Sequence, residues 1–572
     1  MAMILIDWLY IAVTTFLTGY GILSLFARLT SYRIRHVIPC FLAGLAGVTV
    51  YAQFFSLFAG VSTLANIILM AVCLCILAGE RKSLLALAWE VSAQWNKEKW
   101  KYAAAGCLIL LMAYGTSRGY MHFDTGLYHA QSIRWIEEYG VVCGLANIQA
   151  RFGYNSAAFP LTALYSMKGV FGQSLHATAG FFALIASFMV LDLYKVFTEK
   201  RILMADFIRL GLLFYVSVIF SEMMSPASDY YAQLLLFMIL ILWLEEDEKQ
   251  KSMGIADAVP YGLICVLAVY AVTIKFSVAV LLLLVIKPAI MLIKGKEGKK
   301  IAIFLLTGFL TALPFFIRNV ILTGWLVYPF AGIDLFDVDW KIPKWQVEYD
   351  ATEIGVYGKG LNDVALQDTP YSVWVPDWFG NLKSLEKVFV LATIAAIVLG
   401  VAYLLVQSLR SVWKKKRLLD RDFALVFGVS VIAGAFWFVS APLIRYGYAY
   451  VTVIPLLAFG YFFLQRMKKI SKSAYRKMLY RVFALAVILF LFTRVTGFVK
   501  DIARTCRQPY YIAQMDYVDG EAQVRVVDGI TFYEPTDAGQ IGYRQFPSSL
   551  FAMPFELRGD SIEEGFRQPD TE

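Results

Sequence analysis

Charged residues are scarce in this chain. Only 17% of its 572 residues are Asp, Glu, Lys or Arg, and 59% are hydrophobic, whereas an average soluble protein has about 25% and 45–50%. An apolar excess of this size excludes a soluble globular chain, and an aromatic content of 16% excludes a disordered one. The composition therefore predicts an integral membrane protein.

Cysteine is also rare, and the common nucleotide-binding motifs are missing. The seven Cys are too few for a disulfide scaffold, and most of them lie within apolar runs, where a thiol acts as a small hydrophobic group. No phosphate-binding loop, dinucleotide fingerprint, zinc-type spacing or serine nucleophile elbow occurs in a credible context. We therefore expect no nucleotide hydrolysis.

Long apolar runs are what the chain has in abundance. A transmembrane helix needs about 20 mostly apolar residues, because the hydrocarbon layer is about 30 Å thick and each helical residue rises about 1.5 Å. The runs predict an all-α bundle of about fourteen membrane-spanning helices. These spans are predicted near residues 4–27, 37–58, 62–79, 102–117, 174–197, 207–221, 230–244, 259–274, 277–293, 301–323, 386–409, 421–439, 446–466 and 476–497.

Lysine and arginine are concentrated in loops that all fall on one side of this bundle. Short cytoplasmic loops carry such an excess, so this side is predicted to be cytoplasmic and both termini to be outside. The net charge of +9 then reports orientation in the cell (inner) membrane, and we expect no nucleic-acid partner. The basic loops lie near residues 28–35, 81–101, 195–209, 294–300, 414–421 and 466–477.

Three long polar segments lie on the outer side. In the first, 118–173, the apolar run 157–171 is predicted to be a re-entrant or interfacial helix, because counting it as a span would invert every later loop. The tail has β-like stretches near 523–527 and 531–533, and we predict a small external subdomain or a cap there. The predicted regions are the accessory helices at 1–101, the membrane core at 102–323, the long outer loop at 324–385, the C-terminal helices at 386–497 and the tail at 498–572.

The densest polar motif follows the fourth predicted span and holds two of the four His in the chain. An Asp here can accept a proton from a hydroxyl nucleophile or bind a divalent cation, and nearby His and Arg can stabilise a phosphate. The alternative is that Asp124 only caps a helix that begins at Thr125. The candidate site residues of this motif are Arg118, His122, Asp124, Tyr128 and His129.

Other polar residues map to the same side, and each has a plainer interpretation. Arg151 and Asn155 are candidate ligand contacts or parts of an ordinary interfacial turn. Asp229 lies with Glu222 in a short outer turn, where a pair of acidic residues costs little free energy. Lys275 lies between two apolar segments and is either a site residue or a lysine that extends to the interface.

Arg318 and Arg445 are predicted near the outer face, where the positive-inside bias disfavours arginine. A bound phosphate or carboxylate would explain them, because arginine binds such groups with two parallel hydrogen bonds. The alternative is an internal ion pair with Glu222 or Asp229.

Together these motifs resemble the GT-C superfamily of membrane glycosyltransferases, and more closely a group of bacterial multispan proteins associated with surface-polysaccharide gene clusters. The similarity covers roughly residues 100–450 and implies a GT-C-like bundle with outer juxtamembrane helices. It rests on the residues around His122, Asp124, Tyr128 and His129, around Arg151 and Asn155, around Ser225, Asp229 and Lys275, and around Arg318, Tyr328 and Arg445.

The resemblance implies transfer of a sugar from a polyprenyl-phosphate donor to a cell-surface glycan or lipid-linked acceptor outside the membrane. It implies that Asp124 activates the acceptor as a base or binds a divalent cation such as Mg²⁺ or Mn²⁺. GT-C enzymes often carry paired acids in this loop, where this chain has one Asp. We assign Arg318 and Arg445 to the donor phosphate. Contacts to the sugar or acceptor are assigned to His122, His129, Arg151 and Asn155.

Two other functions share many of these features. An oligosaccharide polymerase or a lipid-linked glycan ligase would have the same multispan body, outer arginines and large outer loop. A polysaccharide transporter or flippase would need a polar pathway through both leaflets, whereas the inner halves of the spans hold few charges, such as Asp192. This one-sided distribution favours an enzyme.

Overall fold

The computed structural model describes residues 1–30, 32–34, 36–415, 419–470, 473–518, 520–536, 540–549 and 554–569. Within these ranges the chain is mostly helical, with two small antiparallel sheets near the C-terminus. Of the predicted basic loops, Arg35, Lys416, Arg417 and Lys472 lie outside the described residues.

The helices follow the apolar runs closely. They are α1 Ala2–Thr30, α2 Val37–Phe55, α3 Thr63–Asn96, α4 Trp100–Ser117, α5 Ala130–Glu138, α6 Ala158–Leu164, α7 Lys168–Phe171, α8 Thr178–Leu191, α9 Tyr194–Thr198, α10 Met204–Ile219, α11 Ser228–Met253, α12 Val259–Ile274, α13 Ile286–Lys294, α14 Gly298–Thr323, α15 Lys344–Gly358, α16 Tyr371–Asn381, α17 Ser384–Trp413, α18 Arg421–Ser440, α19 Ile444–Lys469 and α20 Ser473–Thr505. The strands are β1 Ala522–Val527, β2 Ile530–Pro535, β3 Glu556–Leu557 and β4 Phe566–Arg567.

The multi-pass architecture is confirmed. Among the described residues, 12 helical segments are long and apolar enough to cross a membrane. Helix is present at every predicted span, and the two positions outside this set are α4 and the 16-residue apolar α12. Spanning by these two helices stays a prediction, and so does the count of fourteen.

Small residues let α1 and α2 pack with their backbones almost in contact. A Cβ added to Gly19 would overlap the carbonyl group of Cys40, and one added to Gly44 would overlap that of Thr15. Such close packing is typical of membrane helices, because small residues allow extensive van der Waals contact between them. The α1–α2 pair therefore forms one rigid wall of the bundle.

The outer segment 118–173 folds against the membrane helices. Every residue of α6 is buried, and the amide of Ala157 donates to the carbonyl of Thr273 at the end of α12. The predicted helix at 157–171 is broken at Met167, which has a positive φ of 49°, so the run forms the short helices α6 and α7. Tyr165 and Ser166 at this break are buried, so protein covers the irregular backbone there.

The tail packs on the outer segment, and both predicted β-like stretches are confirmed as strands. β1 and β2 form an antiparallel hairpin, and aromatic residues of the tail pack around Trp135 of α5. The amides of Ile541 and Gly542 both donate to the carbonyl of Gly126, at 2.8 and 3.0 Å. The tail therefore caps the segment that carries Asp124.

The opposite end of the bundle is more highly charged than the sequence suggested. Arg209 is buried and pairs with Asp206 and Glu245, and Lys287 pairs with Asp247. The expectation that the inner halves of the spans hold few charges, such as Asp192, is wrong. Arg209 had been assigned to a loop, whereas it lies within α10.

Candidate functional site

Arg445 lies at the centre of a cluster of polar side chains on the outer segment and the neighbouring helix ends. Its guanidinium contacts Nε2 of His122, donates to Oδ2 of Asp124 at 3.0 Å, and has its Nε 3.7 Å from Oδ2 of Asp229. Asp229 also forms an ion pair with Lys275. We call His122, Asp124, Asp229, Lys275 and Arg445 the Asp124 cluster.

Helix ends bring these residues together. Asp229 is the second residue of α11 and Arg445 the second of α19, and each helix begins two residues after a proline, Pro226 or Pro442. Lys275 is the extended residue at which α12 ends. Proline disfavours a helical conformation in the residue before it, so neither helix extends back beyond its proline. The first turn of each helix therefore lies at the site.

The carboxylate of Asp124 faces the cluster and does not cap a helix. It makes no capping hydrogen bond to the π-helical turn Thr125–His129 that follows it, so the capping interpretation is wrong. Arg445 and His122 both approach Oδ2, and no described residue hydrogen-bonds to Oδ1. The side chain of Asp124 is 25% exposed, so its carboxylate is partly accessible to a ligand.

Two histidines lie side by side in this part of the site. The rings of His122 and His129 stack with their centres 6.4 Å apart, and Nδ1 of His122 accepts a hydrogen bond from the amide of Asp124 at 3.1 Å. Burial, followed by the positive charge of Arg445, lowers the pKa of His122. Burial and the neighbouring His122 lower the pKa of His129 well below its usual value. Both rings are therefore neutral at pH 7.

The positive groups of the cluster are held by several partners. The Nζ of Lys275 lies 4.1 Å from the ring centre of Tyr446, whose hydroxyl accepts a hydrogen bond from Arg445 at 3.2 Å. Gln233 donates to the carbonyl of Arg445 at 2.7 Å and accepts from the amide of Ala449 at 2.9 Å. Lys275 therefore has a specific ion pair and does not merely extend to the interface.

Arg318 lies in a separate buried network with Asn155. Its Nε donates to Oδ1 of Asn155 at 3.0 Å, and its Nη1 bonds to Oγ of Ser56. Among the described residues no carboxylate pairs with Arg318, whereas Arg445 has the internal ion pair that the sequence left open. Phe315 of this network packs on Phe276, directly after Lys275, with ring centres 6.0 Å apart.

Arg151 contacts the long outer loop. Its Nη2 lies 3.4 Å from Glu353 of α15, and the hydroxyl of Tyr154 donates to Asp350 at 2.7 Å. Burial raises the pKa of the Asp350 carboxyl. Tyr128 joins this contact to the Asp124 cluster, because its ring packs on Tyr154 at 5.6 Å and on His129 at 4.4 Å.

Arg118 points away from the Asp124 cluster. Its guanidinium is buried between the rings of Tyr114 and Tyr511, at 4.3 and 4.0 Å, and donates to the carbonyl of Gln508 at 3.0 Å. The chain reverses at Gly119, whose φ is 139°, so that the residues after it face the site. The structure therefore assigns Arg118 to packing of the tail.

The residues present do not fit a divalent cation at Asp124. Within the described ranges, no group of three or more His, Cys, Asp or Glu side chains is arranged to hold a metal. The Oδ2 of Asp124 already carries the guanidinium of Arg445, whose positive charge would repel a cation. Such ions prefer several oxygen ligands, which this pair does not provide.

The comparison with protein families identifies one match that covers most of the chain. Residues 1–452 match the model described as "Domain of unknown function (DUF8201)". The chain belongs to the DUF8201 family. The DUF8201 region contains every residue of the Asp124 cluster and ends within α19, so the tail that caps the cluster follows it. The sequence matches no curated protein.

Sequence reasoning assigned no site role to several residues that hold the site together. Ser225 accepts a hydrogen bond from the amide of His122 at 2.8 Å, and Tyr446 and Gln233 position Arg445. Gln233 had a detectable signal, because it is a polar residue four positions after Asp229 and therefore on the same face of α11.

Proposed function

We propose that this DUF8201 protein is a membrane glycosyltransferase of the GT-C type. It transfers a sugar from a polyprenyl-phosphate donor to a cell-surface glycan or lipid-linked acceptor on the outer side of the cell membrane. The observation that carries the proposal is the contact of one accessible carboxylate, Asp124, with Arg445, beside the ion-paired Lys275. This arrangement offers a base and positive charge at one place.

In the proposed reaction, the acceptor hydroxyl gives its proton to the Asp124 carboxylate while its oxygen attacks the anomeric carbon of the donor. The bond between that carbon and the phosphate oxygen breaks, and the electron pair leaves on the polyprenyl phosphate. Arg445 and Lys275 supply the positive charge that stabilises the leaving phosphate. In this proposal His122 positions Arg445 and the backbone of Asp124 through its two ring nitrogens, and the buried His129 stacks on it.

The surrounding residues have supporting roles in this proposal. Arg318 and Asn155 are a second, buried source of positive charge and hydrogen bonds for the donor phosphate. Arg151 and Tyr128 line the approach from the long outer loop, where the acceptor enters. The basic loops at the opposite end support an outward-facing site, because lysine and arginine stay on the cytoplasmic side.

The test is an assay of the purified full chain with two classes of donor. We expect release of polyprenyl phosphate from a polyprenyl-phosphate monosaccharide in the presence of acceptor glycans. Turnover of only a polyprenyl-diphosphate oligosaccharide would instead establish a polymerase or ligase. Movement of intact lipid-linked glycan across proteoliposomes, without cleavage, would establish a flippase.

A further inference from the structure

A cavity of about 440 Å³ opens at the end of the bundle that carries the basic loops. Its walls are formed by α1, α2, α11, α12 and α14. Most of the lining is aliphatic, as at Ala43, Val266 and Leu310. The charged residues are confined to one end, and farther in the lining includes the hydroxyls of Thr307 and Thr311. This site is separate from the Asp124 cluster, none of whose residues lines it.

The depth of this cavity matches one membrane leaflet. Along α2 the lining extends from His36, at the mouth, to Val50, which is a rise of about 20 Å. Along α12 it extends from Pro260 to Leu267, near the middle of that helix. Half of the hydrocarbon layer plus part of the interface is about 20 Å thick, so the cavity reaches from the interface to the bilayer centre.

The mouth carries one arginine, Arg33, that no described carboxylate neutralises. Tyr32, Arg33 and His36 line one side of it. On the other side, Glu246 pairs with Lys249 at 2.7 Å, and Glu245 shares the guanidinium of Arg209 with Asp206. Arg33 is exposed, and no described carboxylate pairs with it.

We propose that this cavity binds one anionic phospholipid of the leaflet that faces the basic loops. The acyl chain lies along the aliphatic walls, and the phosphate lies at Arg33. Water gains few hydrogen bonds along these walls, because the hydroxyls of Thr307 and Thr311 already donate to carbonyls of their own helix, whereas an acyl chain from the adjoining leaflet can enter. A negative headgroup is selected because it pairs with Arg33, which no described carboxylate neutralises. Neither step depends on the proposed glycosyltransferase reaction.

The proposal is tested by native mass spectrometry of the purified full chain with phosphatidylglycerol and phosphatidylethanolamine that carry the same acyl chains. We expect one phosphatidylglycerol to be retained about fivefold more strongly than phosphatidylethanolamine. Ala43→Phe fills the cavity and is expected to abolish retention. The matched control, Leu305→Phe, adds a larger side chain on an exposed face of α14 outside the cavity and leaves retention unchanged.

A loop variant keeps the test independent of packing in the membrane core. Arg33→Glu is expected to remove the preference for phosphatidylglycerol, whereas Arg81→Glu, at an exposed basic residue outside the cavity, is expected to preserve it. Equal retention by the wild type and Ala43→Phe would overturn the site. Equal retention of both lipids by the wild type, or displacement of phosphatidylglycerol by polyprenyl phosphate, would overturn the assigned occupant.

Discussion

Arg445 contacts three other members of the Asp124 cluster, so its shape matters as much as its charge. The planar guanidinium reaches His122, Asp124 and Asp229 from different nitrogen atoms. A lysine ammonium is a single point charge and cannot make these contacts together. The residue thus orients the Asp124 carboxylate, and in the proposed reaction it also supplies charge for the phosphate.

Arg445→Lys is therefore expected to lower kcat at least about tenfold, although the charge is retained. The measurement is steady-state release of polyprenyl phosphate by the purified variant. Arg201→Lys, at an exposed arginine of the opposite end, is the matched control and should be unchanged. A wild-type kcat in Arg445→Lys would show that the planar geometry of the guanidinium has no part in the reaction.

The Asp229 and Lys275 pair is expected to stabilise the fold as well as the site. Asp229 is buried, so Asp229→Ala leaves the Lys275 ammonium without its partner. We expect a loss of about 1–3 kcal/mol, which thermal unfolding in detergent would detect as a lower Tm. The double variant Asp229→Ala with Lys275→Met should regain part of this loss. If the loss in the double variant equals the sum of the losses in Asp229→Ala and Lys275→Met, direct coupling of the two residues is contradicted.

At the scale of elements, the tail is held against the outer segment by a buried polar network. Ser174 donates to Glu137 at 2.6 Å, and the hydroxyls of Tyr543 and Tyr517 bond to Glu137 and to Nδ1 of His176. Burial lowers the pKa of His176 from 6.5 to about 3 and raises that of Glu137. Docking of the tail therefore requires a neutral His176.

The buried His176 predicts a contribution to stability that is lost at acidic pH. The unfolded chain binds a proton at His176 near pH 6.5, whereas the folded chain does not until about pH 3. Lowering the pH through this window costs about 1.4 kcal/mol per pH unit for one proton. The Tm of His176→Gln should fall less on acidification than that of the wild type. Glu137 is present in both proteins, so its protonation contributes equally to both Tm curves. Parallel Tm curves would contradict this account.

Within single elements the sequence was informative, whereas contacts between distant elements were not predictable. Apolar length predicted the helices, and the outer polar residues Asp229, Lys275 and Arg445 were each recognised. Their mutual contacts join four parts of the chain that are far apart in sequence, and no local pattern encodes such pairing. Arg118 was grouped with Asp124 by proximity in sequence, but the reversal at Gly119 separates them.

At the scale of the whole molecule, the proposed function requires the tail and the Asp124 cluster to lie on the outer side of the membrane. Cys506 is exposed at the start of the tail, so a membrane-impermeant maleimide should label it in intact spheroplasts. Cys506→Ser should remove this label. A cysteine introduced at Lys299 in that background should react only after lysis. Labelling of Lys299→Cys in intact spheroplasts would show that the protein has the reverse of the proposed orientation.

The central claim is that Asp124 acts as the base in sugar transfer. It is tested most directly by the rate at which purified Asp124→Asn releases polyprenyl phosphate from a polyprenyl-phosphate sugar, compared with the wild type and with Asp368→Asn, an exposed acid of the outer loop. We predict a loss of at least about a hundredfold in Asp124→Asn and no loss in Asp368→Asn. Release by Asp124→Asn at the wild-type rate would contradict the claim.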